Sequence, residues 1–238
     1  MTKYLLLDCH NLCHRAYHTT GKTLDMGTIF GFMRELHALK NEYRDHQFCF
    51  FWDHGRPKRL NLLSTYKSSR RNKLLDDDER ESRRQFQKEV DTLKHEILWD
   101  LGYQNIRWQD GYEADDLIAD FVRRMSGWDR AVMVSSDQDL YQLLEGKRIT
   151  QLKPIGRVVY REKNLLKYYG VSPSQWHLVK ALSGCSSDDV PGVHGVGGIT
   201  AIKFIKGQLN KTREMYKRIM DNQEIWLDNQ KLVQLPFP

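Results

Sequence analysis

Apolar residues in this chain follow two rhythms. Short unbroken runs, Tyr4-Leu5-Leu6-Leu7 and Ala131-Val132-Met133-Val134, together with the segment from His46 to Trp52, read as strands buried on both faces. Between them, Ile29, Phe30, Met33, Leu36, Leu39 and Tyr43 recur at helical spacing over residues 27–44. A second helix opens at Glu113 and runs through Leu117, Ile118, Phe121 and Val122, preceded by a weaker strand from Ile106 to Trp108. Two short strand-like pieces lie between Arg148 and Tyr160, and beyond them the pattern reads helical to the end. Strands alternating with helices predict an α/β fold with a mostly parallel sheet flanked by helices on both faces. A soft boundary near residue 165 separates a strand–helix region, residues 1–165, from a helical one, residues 166–238. No Gly-, Ser- or Pro-rich linker marks it, and no internal repeat is present.

Composition narrows the class without naming a function. Of 238 residues, 40% are apolar, enough for a core, which excludes wholesale disorder and low-complexity architectures. No stretch reaches 18 apolar residues, and the opening run meets Asp8 too soon for a signal peptide. Cys9, Cys13, Cys49 and Cys185 form no C-x-x-C pair, so reduced thiols and a cytoplasmic location are expected. The net charge of +6 is uneven: residues 56–94 carry 12 basic and 7 acidic side chains. That surplus suits a polyanion, although a solvated basic helix face gives the same count.

The acidic residues fall where a ligand would bind. Asp8, Asp53 and Asp137 each end a strand, with Asp139 just beyond, and parallel α/β sheets bind ligands outside the carboxyl ends of their strands. Glu113, Asp115 and Asp116 add three more at a helix start, in Gly111-Tyr-Glu-Ala-Asp-Asp116. Any one of them is accounted for by helix capping or turn formation. Seven on one edge repel one another unless a cation sits among them. An all-oxygen donor set selects hard ions, Mg²⁺ or Mn²⁺, which suit phosphodiester hydrolysis. A rival metal pattern, Cys9-His10-Asn11-Leu12-Cys13-His14 with His18, puts donors four apart on one helix face. No second cluster completes a zinc tetrahedron, so ordinary burial of these thiols is expected.

Two further segments bear on polyanion binding. Tyr66-Lys67-Ser68-Ser69-Arg70-Arg71-Asn72-Lys73 has few apolar anchors and precedes the acidic run Asp76–Glu79, so it reads as a mobile, phosphate-gripping loop or as a plain solvated one. Pro191-Gly192-Val193-His194-Gly195-Val196-Gly197-Gly198-Ile199-Thr200-Ala201 lies between helical stretches and can turn its backbone amides toward a phosphate. It matches neither a dinucleotide fingerprint nor a P-loop, and a glycine turn between packed helices is the plain alternative.

These motifs, with Ser136-Asp-Gln-Asp-Leu-Tyr-Gln-Leu-Leu144, Ser187-Asp-Asp-Val-Pro-Gly192 and Asp53-His-Gly-Arg-Pro57, resemble the 5′-nuclease (flap endonuclease/5′–3′ exonuclease) family. That family includes the N-terminal nuclease domain of bacterial DNA polymerase I and stand-alone phage enzymes. The resemblance runs from Tyr4 to Pro236. It implies a PIN-like α/β nuclease domain over 1–165, with an arch or gateway segment at about 66–84. Over 166–238 it implies a helix-3-turn-helix subdomain, a helix-hairpin-helix variant that binds DNA. Asp8, Asp53, Glu113 and Asp115 then match a first metal group with Asp116 beside them, and Asp137, Asp139 and Asp188 a second. Lys67 and Arg70 match the pair at the scissile phosphate. Arg71, Gly192, Gly195, Gly197, Thr200 and Lys203 fall at DNA-binding positions, with K⁺ at the hairpin turn.

The implied function is a Mg²⁺-dependent, structure-specific 5′-nuclease, with Mn²⁺ as substitute metal, acting on 5′-flap or 5′-ended DNA in replication or repair. A monomer in a bacterial or phage-infected cytoplasm, with a separate DNA polymerase as partner, completes the expectation. Without the eight carboxylates, 37 basic against 23 acidic side chains leave +14 for the rest of the surface, which suits a polyanion. Two positions depart from the family pattern: Cys185 stands where an aspartate of the second metal group is usual, and Ile199 where the hairpin usually has lysine. A DNA-structure binder with a crippled metal site and a PIN-type ribonuclease are the alternatives.

Overall fold

The computed structural model describes residues 1–238. Six strands form one sheet: β1 Lys3–Asp8, β2 Gln47–Phe51, β3 Ile106–Arg107, β4 Arg130–Val134, β5 Ile149–Lys153 and β6 Val158–Tyr160. Their order is β3-β2-β1-β4-β5-β6, with every neighbouring pair parallel except β5–β6. In register, Leu7 of β1 faces Phe50 on one side and Val134 on the other. The ends of three strands therefore lie level, and Asp8, Asp53 and Asp137 emerge on one edge. The chain leaves β1 first toward β2 and later toward β4, so this edge is also the topological switch point.

The sheet is buried on both faces, which is why its strands read as unbroken apolar runs. Alternation sends Leu5 and Leu7 to one face and Leu6 to the other. Leu5 and Leu7 pack with Leu12 and Cys13 of α1 Cys9–Ala16, Phe32 and Leu36 of α2 Gly27–Glu42, and Phe86 and Val90 of α4 Asp77–Thr92. Leu6 and Met133 share a second cluster with Ile118 of α6 Ala114–Arg124 and with Trp176, Val179 and Leu182 of α8 Pro173–Ser183. That cluster continues to Val193, Val196, Ala201 and Ile219, so residues beyond 165 seat directly on the sheet. The remaining helices are α3 Ser68–Arg71, α5 Leu98–Asp100, α7 Glu162–Tyr169, α9 Gly198–Ile205, α10 Glu214–Asp221 and α11 Gln223–Val233.

Three local features differ from the sequence expectation. The last third is not wholly helical: β7 Gly184–Cys185 pairs antiparallel with β8 Val190–Pro191, too short a ladder for any periodicity to signal. The acidic run Asp76–Glu79 is a helix start, where the Asp76 carboxylate accepts from the Glu79 amide at 2.8 Å. The segment after Tyr66 is also anchored. Tyr66 is buried beside Leu60 and Val233, the Lys67 amide donates to the Asp188 carbonyl at 2.9 Å, and Ser69 donates through its amide and hydroxyl to Asp189. The anchors come from residues some 120 positions away, which the local sequence does not display. Cys9 and Cys13 are fully buried, and the Cys9 thiol points to the Leu7 carbonyl.

Candidate metal centre

The first group of carboxylates grows out of regular secondary structure. Asp8 caps α1: one oxygen accepts from the Asn11 amide at 3.1 Å and the other from the Ser135 hydroxyl at 2.8 Å. Asp53, just past β2, accepts from the Ala114 amide at 2.8 Å, which ties it to the N-terminus of α6. Glu113 precedes that helix, and its Oε2 accepts from Arg59 at 2.9 Å and from the Tyr66 hydroxyl at 2.7 Å. Its Oε1 pairs with the Lys67 ammonium. Asp115 accepts from the Asp116 amide at 2.7 Å. Asp116 is engaged on both oxygens by the Arg59 guanidinium, at 2.6 and 2.7 Å.

The second group is assembled from distant chain segments. Asp137 accepts from the Asp139 amide at 2.8 Å, and its own amide donates to the Ser135 hydroxyl. Asp139 is ion-paired with Lys180 at 2.7 Å. Asp188 faces Lys67 at 3.5 Å and Arg70 at 3.9 Å. The Cys185 thiol donates to Asp188 at 3.0 Å, and ligand atoms of Asp139, Cys185 and Asp188 lie within 4.8 Å of one another. Glu113, Asp115 and Asp116 form another such set.

Both groups open into one space. Asp8, Asp53, Glu113, Asp115 and Asp137 line a cleft of about 460 Å³ with Lys67, Arg70, His10 and His14. A smaller cavity lined by Asp115, Asp137, Asp139, Asp188, Lys67 and Arg70 adjoins it. Burial and then the nearby Asp53 push Asp8 up to about 7. Burial and then Asp139 push Asp137 up to about 6, and burial with Asp116 holds Asp115 well above the usual carboxylate range. Burial acts the same way on Glu113, but Lys67 and Arg59 overcome it and hold that carboxyl low. Three carboxyls are thus held toward their neutral forms, because the side chains around them do not compensate a full set of negative charges. A divalent cation among these oxygens fits, since it would hold all of them ionised.

Arg71 is exposed and donates to the Ser64 carbonyl at 2.9 Å, and it lines neither cavity. The glycine hairpin forms a separate feature. A Cβ on Gly192 would meet the Ser183 backbone at 2.3 Å, and Gly195 has φ +78°, so both positions require glycine. Val193 and Val196 anchor the turn in the core, while Gly197 and Gly198 face open space at the start of α9, which carries Thr200 and Lys203. Ile199 is 76% exposed. Sequence reading missed Arg59, Ser135, Lys180 and Asp189; each belongs to the site through burial or pairing across the fold, and only Asp189 stands in a motif, Ser187–Gly192, where Asp188 alone was singled out.

A mainly parallel sheet with a basin of carboxylates at its topological switch point, overhung by lysine and arginine, defines an α/β domain of the acidic-cleft class. A family model for the 5′-3′ exonuclease, N-terminal resolvase-like domain, matches residues 3–170, and the chain belongs to this family. The thermostable DNA polymerase I of Thermus thermophilus is 31% identical over 212 residues, covering 86% of this chain and 24% of the polymerase. The chain thus spans about a quarter of the length of that relative. A 5′-3′ exonuclease of Aquifex aeolicus is 29% identical over 218 residues, 87% of this chain and 70% of that one. Among solved structures, the bacteriophage T5 flap endonuclease in a pseudo-enzyme–product complex with DNA and metal ions superposes with a TM-score of 0.82. It is 22% identical and covers 98% of this chain and 89% of its own, a likeness of fold. The expected α/β sheet flanked by helices is the fold observed. No helix is long and apolar enough to cross a membrane.

Proposed function

We propose that this chain is a divalent-metal-dependent 5′-nuclease that hydrolyses phosphodiester bonds in 5′-flap or 5′-ended DNA, in replication or repair. The observation that carries the reading is the pair of adjoining cavities, one for each carboxylate group, with Lys67 and Arg70 lining both. Asp8, Asp53, Glu113 and Asp115 would hold one metal, and Asp137, Asp139 and Asp188 a second. Mg²⁺ is the expected ion and Mn²⁺ its substitute. Bound ions of this kind supply hydroxide at neutral pH and stabilise the leaving oxygen.

The chain's own side chains do the rest. Lys67 bridges Glu113 and Asp188 and so stands between the two groups, where its ammonium can meet a phosphate oxygen once metal neutralises those carboxylates. Arg70, half-exposed beside Asp188, adds a second donor from the same side. Asp116, with both oxygens on Arg59, supports this shell from behind. The Gly192–Gly198 turn with Thr200 and Lys203 would hold the duplex backbone, with K⁺ at the turn, and Arg71 would add a phosphate contact. This assigns 1–165, with its 66–84 gateway, to chemistry and 166–238 to DNA binding as a helix-hairpin-helix-type subdomain. A monomer working beside a separate DNA polymerase in the cytoplasm completes the reading.

The test compares a 5′-flap DNA with an RNA of equal length, each with Mg²⁺ and with EDTA. Metal-dependent cleavage of the DNA with little of the RNA is expected. Equal RNA cleavage would make the chain a ribonuclease. Tight flap binding without cleavage in any metal would make it a DNA-structure binder, the reading that the Cys185–Asp188 hydrogen bond favours by occupying a ligand oxygen.

A further inference from the structure

Arg59 belongs to none of the acidic or glycine motifs, yet it is 4% exposed and touches three separate parts of the site. It lies in the turn Lys58–Asn61, far in sequence from everything it binds. Nη1 donates to Glu113 Oε2 at 2.9 Å and to Asp116 Oδ2 at 2.6 Å, and Nη2 donates to Asp116 Oδ1 at 2.7 Å. Nε donates to the Leu232 carbonyl at 2.8 Å. The Phe237 ring covers the guanidinium at 5.0 Å, and the Phe237 amide donates to Asp116 Oδ1 at 2.8 Å. All three guanidinium nitrogens are therefore engaged in one fixed plane.

The arrangement has a directional consequence. With Oε2 of Glu113 held by Arg59 and Tyr66, Oε1 is left toward Lys67 and the cleft. Stability by itself does not call for this device, because apolar residues of similar volume usually replace a buried ion cluster at no loss. An apolar group cannot fix the orientation of a carboxylate, whereas a planar fork can. The strap from Leu232 to Phe237 then holds the fork. Gln142 fastens the strap in turn, donating to the Val233 carbonyl at 2.9 Å and accepting from the Leu235 amide at 3.1 Å.

We propose that Arg59 is a positioning residue of the metal centre: its fork aims Glu113 into the cleft, and the 232–237 strap latches that fork, so that metal affinity depends on a segment far along the chain from the carboxylates of the site. The inference rests on the proposed role of Glu113 as a metal ligand. Groups that orient metal ligands typically change metal affinity by about 10–100-fold when altered.

The test uses the full chain without DNA and titrates Mn²⁺ by the paramagnetic resonance signal of the free ion, alongside thermal unfolding. Arg59→Lys keeps the charge and loses the fork; it should weaken Mn²⁺ binding about tenfold. Phe237→Ala should weaken it in the same direction and by less, while Gln234→Ala, at an exposed strap position, should match the unchanged chain. Cleavage of flap DNA by Arg59→Lys should recover at high Mn²⁺, and DNA affinity in Ca²⁺ should hold. Wild-type Mn²⁺ affinity in Arg59→Lys, even with a lowered melting temperature, would make Arg59 a structural residue only and overturn the proposal. If Arg59→Lys does not fold, Phe237→Ala decides: unchanged Mn²⁺ affinity there overturns it equally. An unchanged chain that binds no Mn²⁺ would remove the metal reading itself, and this inference with it.

Discussion

The two carboxylate groups of the cleft are built by different means. In the first, Asp8 and Asp53 sit at strand ends and Glu113, Asp115 and Asp116 at a helix start, and backbone amides of Asn11, Ala114 and Asp116 fix three of them. In the second, Asp137 and Asp139 follow β4, but Asp188 arrives from a loop some fifty residues later, through a two-residue ladder and a left-handed Asp189 at φ +53°. The first group is anchored by secondary structure and by Arg59. The second depends on Lys180 pairing with Asp139 and on Lys67 facing Asp188 of the 185–189 loop, and it contains a thiol.

The largest expected effect breaks both groups alike. Asp115→Ala or Asp137→Ala should reduce cleavage of a 5′-flap DNA by roughly a thousandfold or more, since on the proposed reading each would remove a ligand from the metals that would activate water. DNA binding in Ca²⁺ should survive, measured by fluorescence anisotropy. Near-normal turnover in either variant would refute the ligand assignment.

Next come Lys67, which bridges the groups, and Arg70 beside it at Asp188. Lys67→Ala or Arg70→Ala should lower the single-turnover rate by about a hundredfold, equivalent to about 3 kcal/mol of barrier, with a smaller change in duplex affinity. Equal losses of rate and affinity would reduce them to ordinary backbone contacts.

A smaller effect separates the groups. Burial and then Asp188 push the Cys185 thiol up to about 11, so it enters the second group as a neutral donor to Asp188. Cys185→Asp should lower the Mg²⁺ concentration at half-maximal rate by about tenfold and narrow the advantage of Mn²⁺. An unmoved Mg²⁺ curve would mean that the thiol only packs beside the hairpin.

The smallest effect is on stability. Without metal, Asp8 is raised to about 7 and Asp137 to about 6, so the native state keeps protons that the unfolded chain has already released. These two carboxyls make stability fall as pH rises between about 4, where the unfolded carboxyls titrate, and 7; His14, lowered by burial to about 4, works in the opposite sense and offsets part of that fall. In EDTA the melting temperature should be lower at pH 7.5 than at pH 5 by a few degrees. Mg²⁺ should restore it most at the higher pH, and Asp8→Asn should flatten the profile. A melting temperature independent of pH in the unsubstituted chain would contradict this charge balance.

Much of the fold could be read from the chain because its physics is local. The runs at Leu5–Leu7 and Ala131–Val134 are apolar throughout because both sheet faces are covered, and the helical stripe from Ile29 to Leu39 shows in its spacing. Each of these strands also carries its aspartate with it, so the edge on which Asp8, Asp53 and Asp137 gather followed from strand direction alone. Lys67 was legible as a charge in a basic segment, but its place between Glu113 and Asp188 was not.

What the sequence determined by itself is whatever depends on neighbours a few residues away: strands, helices and capped turns. Tertiary structure alone decided that Asp116 faces Arg59 with both oxygens, that Asp139 meets Lys180, and that the basic segment is tied to Asp188 and Asp189. Those pairings join residues separated by roughly forty to 120 positions, and a buried charge takes whichever partner the packed core brings within reach.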